Sequence, residues 1–175
     1  MSVHIIIDGY NLIRQSDKFS PLDRKEMQMG RESLVNTLAA YKKLRHHKIT
    51  VVFDGSDAPL FLERRDRVQG IDIKFSRDGE QADTVIKRMV TREKEKALVV
   101  SSDRDVVNFS ESQGAATISS PDFEKKIAMA AYMTEKGADI EIEENTGWIP
   151  TTKKKGPSKR LSRKERRNRV KIKKL

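Results

Sequence analysis

The 175-residue sequence contains no cysteine. Disulfides and thiolate metal sites are therefore excluded, which agrees with a reducing, cytoplasmic setting. No apolar stretch approaches the roughly 20 residues needed to cross a bilayer. The N-terminal apolar run meets Asp8 at once and has no signal-peptide pattern. The expectation is a soluble chain with no membrane partner. Nucleotide signatures are missing as well: there is no GxxxxGK[ST] for nucleoside triphosphates and no GxGxxG for dinucleotides. Histidine is scarce. His4 lies inside an apolar strand and reads as a packed residue, while His46 and His47 close a helix and complement its dipole. Ser101 and Ser102 have no histidine partner in view, so serine-based nucleophilic chemistry lacks its base. A DxD nucleophile pair is missing, since Asp8-Gly9-Tyr10 has tyrosine at the second acid, and a phospho-acceptor receiver would need adjacent acids at the first strand and a lysine after the fifth, neither of which is present.

Positive charge is plentiful but unevenly spread. The net charge is +10. Residues 151–175 hold 13 Lys and Arg against one acid, Glu165, and carry +12; the other 150 residues, with 23 basic and 25 acidic side chains, carry −2. The sequence thus divides into a near-neutral domain, residues 1–150, and a basic tail, residues 151–175. Such a tail buries no core of its own and its charges repel, so it is expected to be disordered, or helical on a polyanion. Lys153, Lys154, Lys155, Arg160, Arg163, Arg166 and Arg167 are its candidate nucleic-acid contacts, gaining affinity by releasing counterions from phosphates.

Within the domain, apolar strand-like runs alternate with helical patterns. VHIII (3–7), ITVVF (49–53), IDIKF (71–75), ALVVS (97–101) and AATIS (115–119) read as five strands. Ile71, Ile73 and Phe75 alternate with Asp72 and Lys74, a pattern suited to an edge strand, whereas the first two runs read as buried on both faces. Leu34, Val35, Leu38 and Tyr41 share a helical face in a helix starting near Asp23; Val85, Ile86, Met89 and Val90 do so in a helix from about Glu80. A short helix runs from about Asp103 to Ser112. Another opens at Pro121 with Ser120 as its cap. ADIEIEEN (138–145) alternates weakly and could add a short strand. The order implies an α/β fold: an open parallel sheet of about five strands with helices on both faces.

Three of the strands end on aspartate: IIID on Asp8, VVFD on Asp54 and VVSSD on Asp103, with Asp105 two residues on. Ligands of open α/β sheets bind outside the carboxyl ends of the strands, where strand order reverses. Glu80 and Asp83, three apart at a helix start, are expected to share a face and to join this group. Acids at helix starts also act as caps and dipole partners, a role open to Asp103, Asp105 and Asp78. It suits Asp8 poorly, because the next expected helix begins far downstream. Carboxylates a few ångströms apart ionise together only with a cation among them, and oxygen-only ligands select Mg²⁺ or Mn²⁺. Such a site suits phosphodiester hydrolysis. Asn11 can hold a water or a carboxylate without adding charge.

Taken together, DGYN, VVFDG, EQAD and VVSSDRDV resemble the YacP-like branch of the NYN domain family, within the PIN-like nuclease group, over about residues 1–150. The resemblance implies strand order 3-2-1-4-5 and a metal-dependent ribonuclease, commonly an endonuclease. It maps Asp8 and Asn11 onto the D-G-x-N signature, Asp54 onto the acid after strand two, Asp83 (with Glu80 before it) onto the A-D motif, and Asp103 onto S-D. Where relatives often carry a further acid, this chain has Thr84.

The resulting expectation is an endoribonuclease cutting single-stranded RNA with a metal-activated water. Catalytic candidates are Asp8, Asn11, Asp54, Asp83 and Asp103; metal candidates are Asp8, Asp83, Asp103, Asp105 and Glu80. Arg14, Lys18, Arg64, Arg65 and Arg67, expected in loops or short helices after strands one and two, are candidate phosphate contacts. Tyr10 and Phe61 are candidates to stack a base. Trp148 is expected to pin the chain to the domain before the tail departs. The RNA partner could be mRNA, rRNA or the ribosome. A non-catalytic RNA-binding module and a nuclease acting on structured DNA stand as alternatives.

Overall fold

A computed structural model of the chain describes residues 3–55, 65–135 and 162–175. Six strands form one sheet: β1 (His4–Asp8), β2 (Lys48–Phe53), β3 (Arg65–Val68), β4 (Ile71–Phe75), β5 (Ala97–Val100) and β6 (Ala116–Ile118), in the order β3-β4-β2-β1-β5-β6. Every pairing is parallel except β3 with β4. The five parallel strands therefore run 3-2-1-4-5 among themselves, and strand order reverses between β1 and β5.

The apolar alternation builds the two layers. On one face Ile5 and Ile7 pack with Leu12, Ile13, Leu34, Leu38 and Phe123, carried by α1 (Gly9–Gln15), α3 (Met27–Arg45) and α6 (Ser120–Glu135). On the other, Ile6, Val52 and Val99 pack beneath α4 (Ala82–Glu93) and α5 (Arg104–Ser112) through Val85, Ile86, Met89, Val90 and Val106. A fully buried Ile contributes about 1.5–3 kcal/mol relative to exposure. A one-residue slip of β1 would turn His4 and Asp8 towards the main apolar core that Ile5 and Ile7 fill.

Three features depart from expectation. IDIKF is not the edge: β3 lies outside it, joined by a two-residue turn in which Gln69 and Gly70 both have positive φ, 50° and 82°. This hairpin turn matches the twist of its strands. Arg65 and Arg67 accordingly stand on a strand. Second, a helix begins immediately after β1. Between Asp8 and α3 the chain forms α1 and α2 (Ser20–Lys25). Gly9 permits this tight entry, because a Cβ there would collide with the Phe53 ring. Third, Ser119 rather than Ser120 caps α6, its Oγ accepting from the Asp122 N–H at 3.3 Å.

The last described helix, α7 (Arg163–Lys173), is formed against the protein itself. Ser162 and Glu165 make a reciprocal capping box. Asn168 Oδ1 accepts the Thr117 N–H of edge strand β6 at 2.9 Å. Tyr41 donates its hydroxyl to the Leu175 carbonyl at 2.8 Å, His47 Nε2 meets the Lys174 carbonyl at 3.1 Å, and Leu175 is only 2% exposed in the main core. His47 thus contacts α7 instead of serving the dipole of α3. Periodicity explains the docking: Ile172 and Leu175 give one face of this basic helix an apolar end that reaches the core. The division at residue 150, the possible strand 138–145, Phe61, Trp148, Arg64, Lys153, Lys154, Lys155 and Arg160 lie outside the described residues.

Candidate functional site

The carboxyl ends of β1, β2 and β5, together with the start of α4, enclose a cleft of about 480 Å³. Asp8, Asp54, Asp83 and Asp103 line it, from four separate stretches of chain, with Tyr10, Asn11, Arg14, Gln15 and Gln81. Asp8 ends β1 and is 7% exposed. Its Oδ1 accepts the Asn11 N–H at 3.2 Å, so it caps α1, and its Oδ2 accepts the Ser101 hydroxyl at 3.1 Å. The capping role that the sequence argued against for Asp8 is therefore present. Asp103 caps α5 through its Oδ1, which accepts from the Asp105 and Val106 N–H groups at 2.8 and 3.1 Å. Ser76 Oγ stands 3.4 Å from Asp54 Oδ1 and accepts the Gly55 N–H at 2.8 Å. Gly55 is obligatory here, since a Cβ would overlap the Ser76 carbonyl.

Burial and mutual repulsion act on these acids together. Desolvation pushes the Asp8 carboxyl up to about 6; its hydrogen bonds from Asn11 and Ser101 oppose this, and the Asp83 and Asp103 charges add to it. Asp83 is raised as well, first by burial and then by Asp103, with the nearby Lys87 ammonium opposing.

Asn11 does something other than hold a carboxylate. Its Oδ1 accepts the Ser102 N–H at 2.9 Å, the Ser120 hydroxyl at 2.7 Å and the Gln15 amide at 3.2 Å. It ties α1 to the turns after β5 and β6. Ser101 extends the network by accepting the Asp103 N–H at 3.1 Å, and Ser102 Oγ accepts the Ser120 N–H at 3.2 Å. Ser101, Ser102 and Ser120 were missed as site residues. Each is short and polar at a strand end, a signal that a search for a histidine partner passes over.

Two expected members stand apart. Glu80 pairs with Arg88 and accepts the Arg77 N–H at 3.3 Å; these contacts hold its pKa down, and it faces a different recess from Asp83. The i,i+3 rule does not reach Glu80, because it precedes Gln81, the N-cap of α4. Asp105 pairs with Lys87, is 75% exposed and does not line the cleft. Arg14 lines the cleft, with its guanidinium carbon 5.5 Å from the Tyr10 ring centroid. Tyr10 cannot stack a base: it is buried edge-on against Phe53 and its hydroxyl accepts from Arg31 at 3.0 Å. Lys18 donates to Thr37 at 3.1 Å, and Arg67 pairs with Asp72 at 3.6 Å. Arg166 and Arg167 lie on α7, with Arg167 paired to Glu95. His4 is buried with Nε2 2.8 Å from Thr50 Oγ1, and desolvation lowers its pKa.

A divalent cation is tested by this donor set. The four cleft acids offer only oxygens, and their mutual destabilisation is what such an ion would relieve. Among the described residues, however, no three acidic or imidazole groups already gather as a closed ligand set. The fit is one of chemistry, with the side chains not preassembled.

An open, mostly parallel α/β sheet with acids at its switch point defines the class. The chain belongs to the YacP-like NYN domain family, which matches residues 5–174. It is 25% identical over 85 residues to the protein described as "Uncharacterized protein YacP" of Bacillus subtilis (strain 168) and spans about half that curated relative's length, 49%. Its fold is similar to crystal structures of Rae1 (YacP) from Bacillus subtilis. For one, the TM-score is 0.64 at 22% identity, covering 78% of this chain and 79% of the other. A variant with one tryptophan-to-leucine substitution gives 0.64 at 20% identity, covering 77% and 80%. Among the described residues no helix is long and apolar enough to cross a membrane.

Proposed function

We propose that this chain is an endoribonuclease that hydrolyses single-stranded RNA at the acidic cleft, with Mg²⁺ or Mn²⁺ held by Asp8, Asp83 and Asp103. The supporting observation is the meeting of four aspartates from distant segments at the switch point, two of them with raised pKa values. Family membership supports the same class. When bound, the ion supplies a more acidic water and positive charge for the phosphate oxygens. The chain's own residues do the rest. A water oxygen bonds to phosphorus and gives its proton to Asp54, the cleft acid outside that ligand set. The P–O3′ bond breaks, the proton passes to O3′, and the products carry a 5′-phosphate and a 3′-hydroxyl. Asn11 holds the loops after β5 and β6 in register, so Asp103 faces Asp8 across the cleft. Arg14 stands at the wall, where a phosphate would enter. Glu80 and Asp105 are left out of the ligand set by their pairs with Arg88 and Lys87.

A second reading has one observation in its favour: Asp8 and Asp103 both cap helices, and among the described residues no three acidic groups form a ready ligand set. In that reading the domain binds RNA without cutting it. Labelled RNA and DNA incubated with Mn²⁺, then with EDTA, using wild type and Asp8→Asn, separate the cases. Cleavage of RNA that EDTA and Asp8→Asn abolish is expected. Intact RNA throughout would establish the binding module, and equal cutting of DNA would establish a nuclease of broader substrate.

A further inference from the structure

A second recess, of about 450 Å³, lies between β4 and α4. The loop 76–81 separates it from the acidic cleft: Ser76 and Gln81 belong to the cleft side, Arg77 and Glu80 to the recess. Four cations line it, Lys74 from β4, Arg77 from the loop, and Arg88 and Arg92 from α4; the one acid is Glu80. Its apolar floor is Val85 and Met89 of α4.

The sequence builds this recess through its two periodicities. On β4, Ile73 and Phe75 join the main core, so Lys74 projects to the α4 side, where its Nζ stands 3.7 Å from Met89 Sδ. On α4, Arg88 and Arg92 are one turn apart, with Cβ atoms about 6 Å from each other. Their side chains are 63% and 69% exposed. Glu80 pairs with Arg88 and orients its guanidinium at the mouth, while Arg92 pairs with its neighbour Glu93 at 3.7 Å. Asp83 stands on the same helix. With a rise of 1.5 Å per residue, Arg88 follows it by about 8 Å and Arg92 by about 14 Å. Turned about 140° and 180° round the helix from Asp83, the two arginines form a row on the β4 flank of α4, and loop 76–81 at the helix start joins that flank to the acidic cleft.

We propose that this recess is a phosphodiester track, in which one RNA strand lies along α4 with phosphates on Arg88 and Arg92. Lys74 and Arg77 close the opposite wall, and the strand crosses loop 76–81 into the acidic cleft. Guanidinium groups suit phosphate by their planar fork, and an apolar floor suits a ribose or base face. The strand's destination rests on the ribonuclease reading; the track itself does not. It also gives Glu80 a role, that of holding a phosphate-binding arginine in place.

The test uses the full chain, a fluorescein-labelled 12-nucleotide single-stranded RNA, and EDTA to prevent cleavage. Fluorescence anisotropy is followed between 50 and 200 mM salt for wild type, Arg88→Gln/Arg92→Gln, and Arg88→Lys/Arg92→Lys. The glutamine pair is expected to bind about tenfold more weakly, and the slope of log K against log salt to flatten by about 1.4, two phosphate contacts at 0.7 each for a single strand. The lysine pair should restore most of the slope, and thermal melting should be unchanged because both arginines are exposed. Equal affinity and slope in the glutamine pair, or no binding by wild type, would overturn the track. Failure of the ribonuclease reading looks different: wild type binds, the glutamine pair loses binding, and Mn²⁺ yields no cleavage.

Discussion

The two ends of the sheet solve opposite electrostatic problems. At the carboxyl ends of β1, β2 and β5, like charges are crowded: Asp8, Asp54, Asp83 and Asp103 share one cleft, and burial makes ionisation of Asp8 harder. At the other end, α7 is strongly basic, yet it docks. Arg166, Arg167, Arg169 and Lys173 stay at the surface, Arg167 meets Glu95, partial burial lowers the Lys171 pKa, and Leu175 enters the core with Ile172 packed against it. Charge that can reach solvent costs little there, whereas charge held in the cleft is destabilising unless a partner neutralises it. The difference shows which end is organised for a ligand.

The sharpest way to break this comparison is at the cleft. Asp103→Asn should lower RNA cleavage about 10³-fold, the scale of removing a group at the reacting centre, while circular dichroism stays that of wild type. At the opposite end, Leu175→Ala should lower the free energy of unfolding by about 3 kcal/mol, because it empties a core position; urea titration reads this. For the same reason, removing the C-terminal segment is a poor test of RNA binding, since it also removes a core residue. Asn11→Ala should cost about 2 kcal/mol by urea titration, leaving the Ser102 N–H and Ser120 hydroxyl without their acceptor.

A smaller effect tests the strain at Asp8. Its folded pKa, about 6, lies above the ordinary 3.8, so the folded state binds the extra proton between those values. Stability should therefore fall as pH rises from about 4 through 6. In EDTA at pH 7.5, Asp8→Asn should be more stable than wild type by about 1–2 kcal/mol, allowing for one weakened hydrogen bond; at pH 4 the advantage should vanish. Melting curves at the two pH values read it. The smallest effect sharpens the contrast from the basic side: Arg166→Gln/Arg169→Gln, exposed on α7, should leave melting within about 0.5 kcal/mol. The pair should flatten the salt dependence of RNA binding if the helix touches phosphate.

Much of the fold was legible in particular residues. Ile5, Ile6 and Ile7 in one run announced a strand buried on both faces. The alternation through IDIKF set the register of β4. Strand β3 was invisible because RDRV has no apolar alternation; its pairing with β4 comes from the Gln69-Gly70 turn and the open edge beside it. The start of α1 was hidden because Asp8-Gly9 reads as a turn, and only the fit of Gly9 against Phe53 shows a helix entry. In the site, the strand-end aspartates were legible, and Asp8, Asp54 and Asp103 line one cleft. The directions of Glu80 and Asp105 were not, since each is decided by a cation, Arg88 or Lys87, brought near only by folding.

By itself, the sequence determined the layers, the parallel strand order through its family signature, and the positions of the acids along the chain. Periodicity and strand-end residues are local, so they survive without coordinates. Tertiary structure alone decided which acids share a cleft, that Asn11 is a clamp between loops, that a basic helix ends in the core, and that four cations line a recess beside α4. These depend on distances between residues far apart in the chain, and a sequence carries no direct measure of those distances.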